Sequence, residues 1–349
     1  MKTLVLAQQR SLALAIVALL LVTAVGCQGG ATPTPKATAT LQPTPAPASS
    51  RAQTAPIPKE ALGPAVDPGK GYFVQEIRDG LYWVTDGIYQ VIFLTTGQGV
   101  VAIDAPPQLG EKYLKAIGEV TEKPVTHVIY SHSHKDHIGA ASMFPRNAII
   151  IAHEETAAQL TQANDPNRPV PKVTFKDTYT LKAGSQTLEL AYKGPAHEPG
   201  NIFIYAPIQK VLMLVDVIFP GWTPFKGLAV AEDTPAYIRA HDQVLAYGFD
   251  TFIGGHVGRL GTRKDVEIQR EYIQDIQAQA ATALKTVDFS AIAQKTGYDN
   301  PWLLFDVYLN AVAQACTDAI VPKWTGRLGG VDVFSFDHCY KVMMSLRID

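Results

Sequence analysis

In the stretch His127-Val128-Ile129-Tyr130-Ser131-His132-Ser133-His134-Lys135-Asp136-His137 an apolar run ends and four strong metal ligands follow at once. On extended chain, residues two apart face the same way, so His132 and His134 can address one cation. Asp136 and His137 come round the next turn and can serve a second cation nearby. Imidazole nitrogens and carboxylate oxygens at about 2 Å are what a zinc site requires. Three of the nine histidines in the chain fall between His132 and His137, a crowding that an ordinary polar loop does not call for.

Three further positions offer the same chemistry. His197 sits in the turn-rich loop Gly194-Pro195-Ala196-His197-Glu198-Pro199-Gly200-Asn201. Asp216 interrupts the otherwise apolar run Val211–Phe219, where a carboxylate is costly to bury unless it is paired or bound to metal. His256 follows Gly254-Gly255 at the end of an apolar strand, and small residues there let the backbone approach a neighbour closely. Singly, each has an ordinary structural role open to it. Together with the first cluster they make five histidines and two aspartates with one purpose. His127, His153, His241 and His338 are read as structural or surface residues.

In type and order these seven positions resemble the metallo-β-lactamase superfamily. Its H-x-H-x-D-H signature stands here as His132, His134, Asp136 and His137, and its later His, Asp and His as His197, Asp216 and His256. The resemblance spans about Tyr72 to Gly261. It implies an α/β chain folded as a four-layer αβ/βα sandwich, with two zinc ions at one edge between the sheets. It also implies that His132, His134 and His197 hold one zinc, that Asp136, His137 and His256 hold the other, and that Asp216 bridges them. Asp104 matches the family's early strand-end aspartate and is expected behind a ligand histidine, orienting it, rather than on the metal.

Paired metals lower the pKa of a shared water and supply hydroxide at neutral pH, with Asp136 as the expected proton acceptor. The expected reaction is hydrolysis of an ester-, lactone- or amide-like bond in a small-molecule substrate. Asp216 stands where true β-lactamases with a cysteine ligand would carry a thiolate. Phe219 stands where acyl-homoserine lactonases of the superfamily carry tyrosine. Fold does not fix substrate, and two other outcomes stay open: a mononuclear-iron oxidoreductase resembling persulfide dioxygenases, and a non-catalytic metal-binding surface protein. A flavodiiron relative is disfavoured, because His134 stands where that branch has glutamate. Phe219-Pro220-Gly221-Trp222-Thr223-Pro224-Phe225 could line a substrate pocket or pack as an apolar loop.

The elements that must position these residues read as short strands with turns between them. Tyr72–Ile77, Leu81–Thr85, Tyr89–Thr96 and Val100–Asp104 come first, with Asp86-Gly87 as a hairpin-type turn. A helix over Leu109–Val120 leads to the strand Val125–Tyr130. Further strands are expected at Ala148–Ala152, Gln186–Tyr192, Asn201–Tyr205, Lys210–Phe219 and Thr251–Ile253. Thr234-Pro235 predicts a helix start, threonine as N-cap and proline in the first turn. Beyond Gly261 apolar residues recur at helical spacing from Val266 to Leu284, and a second helix opens at Asn300-Pro301. Residues 262–349 are thus expected as an all-α extension on the sandwich domain at 71–261, with Trp302, Phe305, Tyr308 and Trp324 in its core.

The start of the chain has a different character. Lys2 and Arg10 precede an apolar stretch, Ser11 to Gly26, that ends Ala24-Val25-Gly26-Cys27. That pattern is a secretory signal, and its end resembles a bacterial lipoprotein signal cut before a lipid-bearing Cys27; an uncleaved membrane anchor is the alternative. Residues 28–70 are rich in Thr, Pro, Ala and Ser and predict a disordered, semi-rigid tether. The protein is therefore expected outside the cell, held on the outer face of a bacterial membrane. The formal net charge of −2 and the lack of a basic block disfavour a nucleic-acid partner. Cys316 and Cys339 could form one bridge in an oxidising compartment or remain buried thiols.

Overall fold

The structure, a computed structural model, describes residues 54–349. The signal-like segment, Cys27 and the first part of the tether lie outside the described residues. Residues 54–70, expected within that tether, pack on the folded domain instead. Ala61 is buried, its carbonyl accepts from Trp222 Nε1 at 2.9 Å, and the Glu60 carbonyl accepts from Arg259 at 2.5 Å. Proline-rich composition does not forbid docking where backbone carbonyls find donors.

Seven strands form the first sheet in sequence order. They are β1 (Phe73–Arg78), β2 (Leu81–Thr85), β3 (Gln90–Thr95), β4 (Val100–Ile103), β5 (Val125–Ile129), β6 (Ile149–His153) and β7 (Val173–Phe175). Pairing is antiparallel from β1 to β4 and parallel from β4 to β7. The parallel part needs crossovers. The helices α1 (Glu111–Val120) and α2 (Lys135–Ile138) supply the first two, and α3 (Glu154–Ala163) the third. Central strands buried on both faces read as continuous apolar runs, as Val91–Leu94 and Val100–Ile103 do.

The second sheet holds β8 (Thr178–Ala183), β9 (Gln186–Ala191), β10 (Phe203–Ala206), β11 (Val211–Met213) and β12 (Thr251–Ile253), with β12 beside β11 at one edge. Between β11 and β12 come α4 (Lys226–Val230) and α5 (Thr234–Leu245). The extension is α6 (Arg263–Thr286), α7 (Phe289–Thr296), α8 (Pro301–Trp324) and α9 (Val331–Ile348).

Three apolar cores separate four layers. Helix α1 packs on the outer face of the first sheet through Tyr113, Ala116 and Ile117. The two sheets face each other through residues such as Trp83, Ile129, Leu190 and Met213. The outer face of the second sheet is covered by α5, α6, α8 and α9 through Tyr237, Ile273, Ile320 and Val342. This is the αβ/βα sandwich with a helical extension.

Several local expectations are corrected. The strand expected over Lys210–Phe219 stops at Met213, and the rest leaves the sheet to carry Asp216. The N-cap of α5 is Asp233, whose side chain accepts from Ala236 N; Thr234 is already helical. Trp324 is buried, but Trp302 is 85% exposed and Phe305 is exposed as well. An apolar stretch of helix is a core only where something packs against it: in the first turn of α8 Leu304 is buried, while Trp302 and Phe305 lie exposed. Cys316 on α8 and Cys339 on α9 are joined as a disulfide between buried residues.

Candidate metal centre

All the loops that matter leave the sandwich at one edge. Strand β5 ends at Ile129 and the chain runs through His132 and His134 into α2, which carries Asp136 and His137. The β9–β10 connection brings His197, the exit from β11 brings Asp216, and the exit from β12 brings His256. Gly254 and Gly255 make the last approach possible. A Cβ on Gly254 would stand 2.1 Å from the Ile218 carbonyl oxygen, and one on Gly255 2.6 Å from Val215. Gly255 also has φ of +85°, a conformation that glycine adopts without strain.

The structure brings the seven residues together as two adjoining groups. His132, His134, His197 and Asp216 form one, and Asp136, His137 and His256 the other, each with its ligand atoms within 4.8 Å of one another. Asp216 lies between them. Its Oδ2 is 3.1 Å from His137 Nε2, 3.4 Å from His197 Nε2 and 3.5 Å from His132 Nε2, and its Oδ1 is 3.2 Å from His256 Nε2. Asp216 holds φ of +64°, a strained value that aspartate tolerates better than most residues.

These residues fit a pair of cations. His132 Nε2 and Asp216 Oδ1 are buried with no hydrogen-bond partner among the described residues, although buried polar atoms are normally paired. His137 Nε2 and His256 Nε2 approach to 2.9 Å, and His134 Nδ1 and His197 Nε2 to 3.0 Å, as ligands converging on a common centre do. The charges agree. Burial drives His132 well below its ordinary value, leaving a neutral imidazole that can ligate. Burial opposes ionisation of Asp216, yet His137 and His256 outweigh it and hold the carboxyl well below the usual range. Burial likewise opposes protonation of His137, but Asp216 pushes it up to about 9. The pocket calls for positive charge.

Behind the ligands lies a layer of orienting contacts. Asp104, expected to orient a ligand histidine, reaches His132 through Ser131. Its two oxygens accept from Ser131 N at 2.8 Å and Ser131 Oγ at 2.7 Å, and Ser131 Oγ lies 2.9 Å from His132 Nδ1. Burial raises Asp104 to about 6, against the lowering effect of His137 and Ser131. Glu198 was not foreseen from the sequence. Its Oε2 is 3.0 Å from His134 Nε2 and its Oε1 accepts from Ser133 N at 2.7 Å. The one signal in the sequence was an acid directly after His197 in a turn-rich loop. Such partners fix the tautomer and ring orientation of ligand histidines. His153 caps α3, accepting from Glu155 N at 3.2 Å.

The centre forms the floor of a cavity of about 530 Å³. Phe219 and Trp222 of the apolar segment line it, with Tyr89 and Ile88 from the β2–β3 hairpin, Val230 from α4 and Phe334 from α9. The helical extension thus reaches the site.

Comparison with known proteins agrees with this picture. The model of the family described as the metallo-beta-lactamase superfamily matches residues 84–272, more than half of the chain. The chain belongs to the metallo-β-lactamase superfamily. It is 27% identical over 219 residues to the 2,4-dinitroanisole O-demethylase subunit alpha of Nocardioides sp. (strain JS1661), covering 61% of this chain and 64% of that one. It therefore spans just under two thirds of that relative's length. The metallo-beta-lactamase type 2 of Bacillus cereus is 26% identical over 123 residues, 35% of this chain and 47% of its own. Among solved structures, the stereoselective inverting sec-alkylsulfatase of Pseudomonas sp. has a TM-score of 0.57 at 17% identity, covering 78% of this chain and 50% of that one. A metallo-beta-lactamase from Pontibacter korlensis has a TM-score of 0.50 at 21% identity, covering 57% and 97%. At such identities the structural likeness concerns the fold. The wider coverage by the sulfatase exceeds the sandwich and takes in part of the helical extension.

Proposed function

We propose that this superfamily member is a metal-dependent hydrolase that cleaves ester-, lactone- or amide-like bonds in neutral, apolar and preferably aromatic small molecules. One observation carries the proposal: of the seven convergent residues, His134, Asp136, His197, Asp216 and His256 line a cavity that has no lysine or arginine among the described residues. A substrate with its own carboxylate, sulfate or phosphate would find no side-chain cation on the walls, while an aromatic ring would find Phe219, Trp222 and Phe334. The relative named for its action on 2,4-dinitroanisole, a neutral nitroaromatic ether, supports this choice of substrate class.

In this proposal His132, His134 and His197 hold one cation, Asp136, His137 and His256 the second, and Asp216 both. Two zinc ions there would supply Lewis acidity and an activated water. The chain's own residues do the rest. Asp136 accepts the proton that the water loses, its carboxylate kept ionised because His256 and His137 outweigh burial. Glu198, and Asp104 through Ser131, hold His134 and His132 in the ligating tautomer. The aromatic walls exclude bulk water from the reacting bond and orient the substrate ring.

Elemental mass spectrometry of the full-length chain, with hydrolysis of a panel of neutral aryl esters, tests the proposal. About two zincs per chain and turnover lost on chelation and restored by zinc are expected. Chelator-resistant turnover would overturn it. One iron per chain with sulfide-dependent oxygen uptake would move the protein to the oxidoreductases. Anchoring on the outer face of a bacterial membrane through Cys27 is a separate proposal, supported by the signal-like sequence alone. Mass spectrometry of the membrane-extracted protein is expected to find an acylated N-terminus at Cys27, and an intact, unacylated Met1–Gly26 segment would sink the lipid anchor.

A further inference from the structure

Tyr89 stands apart from the other tyrosines near the site. Tyr113 and Tyr237 are buried and give their hydroxyls to backbone carbonyls, Ile92 O and Val217 O, each at 2.6 Å. Those are structural anchors. The Tyr89 hydroxyl has one partner among the described residues, the Asp136 carboxylate at 3.4 Å, and its side chain borders the cavity beside the ligands.

Its position is fixed by backbone rather than by chance packing. Asp86 Oδ1 accepts from Ile88 N at 2.9 Å and Tyr89 N at 2.7 Å, which sets the turn. The turn is then stitched to the loop that carries His256, by Gln90 N to Gly255 O at 2.8 Å and Val257 N to Ile88 O at 2.7 Å. The Tyr89 ring lies 4.6 Å from the His256 ring and 5.7 Å from that of His137. The hydroxyl is therefore held over the second ligand group. Phe219, also lining the cavity and 6.2 Å from the His256 ring, offers no hydroxyl.

We infer that Tyr89 is a catalytic residue that donates from its hydroxyl to the leaving oxygen of the substrate, an inference that rests on the proposed hydrolase activity. A phenol is protonated at neutral pH and so is a donor there. In the step, the oxygen of water bonds to the electrophilic carbon. The bond from that carbon to the leaving oxygen breaks, and its electron pair stays on that oxygen. The proton lost by water to Asp136 reaches the leaving oxygen along the Asp136–Tyr89 contact, so ester and water give acid and alcohol with nothing else consumed.

The test compares Tyr89→Phe with the parent on two esters of one neutral acyl group, benzyl and 4-nitrophenyl, with zinc content measured on each preparation. A donor to the leaving oxygen matters most where the leaving group is poor. The expected loss in kcat per zinc-loaded site is on the order of 10²-fold for the benzyl ester and less than about threefold for the nitrophenyl ester. An equal loss on both esters would mean that Tyr89 only shapes the pocket, and would overturn the inference. Independently of turnover, 4-nitrophenolate is titrated into both zinc-loaded proteins and followed by its absorption. About tenfold weaker binding to Tyr89→Phe is expected for a lost hydrogen bond to an oxyanion, and unchanged affinity would also overturn the inference. If the parent, fully zinc-loaded, cleaves no ester at all, the proposed activity fails while the nitrophenolate titration still decides whether Tyr89 donates.

Discussion

The floor and the wall of the cavity are built by different means. The floor consists of charged and polar groups carried by the segments that leave the strands at one edge of the sandwich. The wall is apolar and is collected from distant parts of the chain: Tyr89 from a hairpin, Phe219 and Trp222 from the β11 exit, Val230 from α4 and Phe334 from α9. One of its pieces is strained. Gly227, Leu228, Ala229 and Val230 in α4 all have φ between +51° and +61°, and a left-handed turn costs roughly 1–2 kcal/mol for each L-residue. The surroundings hold it there. Phe225 O accepts from Ala229 N at 2.8 Å and from His338 Nε2 at 3.1 Å, and Lys341 donates to Ala231 O. The floor thus specifies chemistry with local motifs, while the wall, Tyr89 apart, specifies what enters with contacts that exist only after folding.

Substitutions can set the two regions against each other. Asp216→Asn keeps shape and tolerates the left-handed backbone, but removes the charge between the two ligand groups. Loss of roughly 4 kcal/mol of transition-state stabilisation is expected, a fall in kcat/KM of about 10³-fold. Retention of activity with normal metal content would show that the floor does not act through this carboxylate.

The wall has an acid-sensitive brace. His338 is buried, its Nδ1 2.9 Å from the Tyr272 hydroxyl and its Nε2 donating to Phe225 O. Burial pushes it down to about 4, against about 6.5 in the unfolded chain. Between those values the unfolded state binds a proton that the folded state refuses, so stability falls as pH drops from about 6.5 to about 4. This one group contributes about 3 kcal/mol across that window. Denaturant unfolding of His338→Gln against the parent checks it. The variant is expected to lose less stability between pH 7 and pH 4.5, and parallel curves would refute the assignment.

Glu198→Gln leaves the ligands in place but removes the charge behind His134. A loss of about 10–100-fold in zinc affinity is expected, read by competition with a chelator. The smallest effect belongs to the wall. Phe334→Ala removes one aromatic surface, and KM for an aryl ester should rise about tenfold, the worth of a partly buried ring, with kcat changed less than about threefold. If kcat falls as steeply as in Asp216→Asn, floor and wall are not separable.

The legibility of the two regions in the sequence follows the same division. His132, His134, Asp136 and His137 could be read as a cluster because a strand end and one turn of helix suffice to aim them. Asp216 was visible as a charge in an apolar run, and Gly254-Gly255 as a close approach. Glu198 escaped notice, because an acid beside a ligand looks like any polar loop residue until the fold shows it facing His134. Strands β7 and β8 and helix α3 were also missed. Residues 178–183 bury little more than Leu181, and an edge strand with mostly exposed side chains carries little apolar periodicity. Trp302 and Phe305 erred the other way: both are exposed, and Phe305 lies beside Phe289 of α7, 6.0 Å between ring centroids, rather than in a core.

By itself the sequence picked out the candidate ligand set, its order along the chain, the sandwich that such an order belongs to, and the helical character of residues 262–349. These are local properties, carried by residue type, spacing and turn chemistry. Only the tertiary structure decided that Asp104 works through Ser131, that Glu198 backs His134, that residues 54–70 dock on the domain, that Cys316 meets Cys339, and that α9 closes one side of the cavity. Each of those depends on which surfaces come within a few ångströms of each other when sheets and helices pack, and no single segment encodes that proximity.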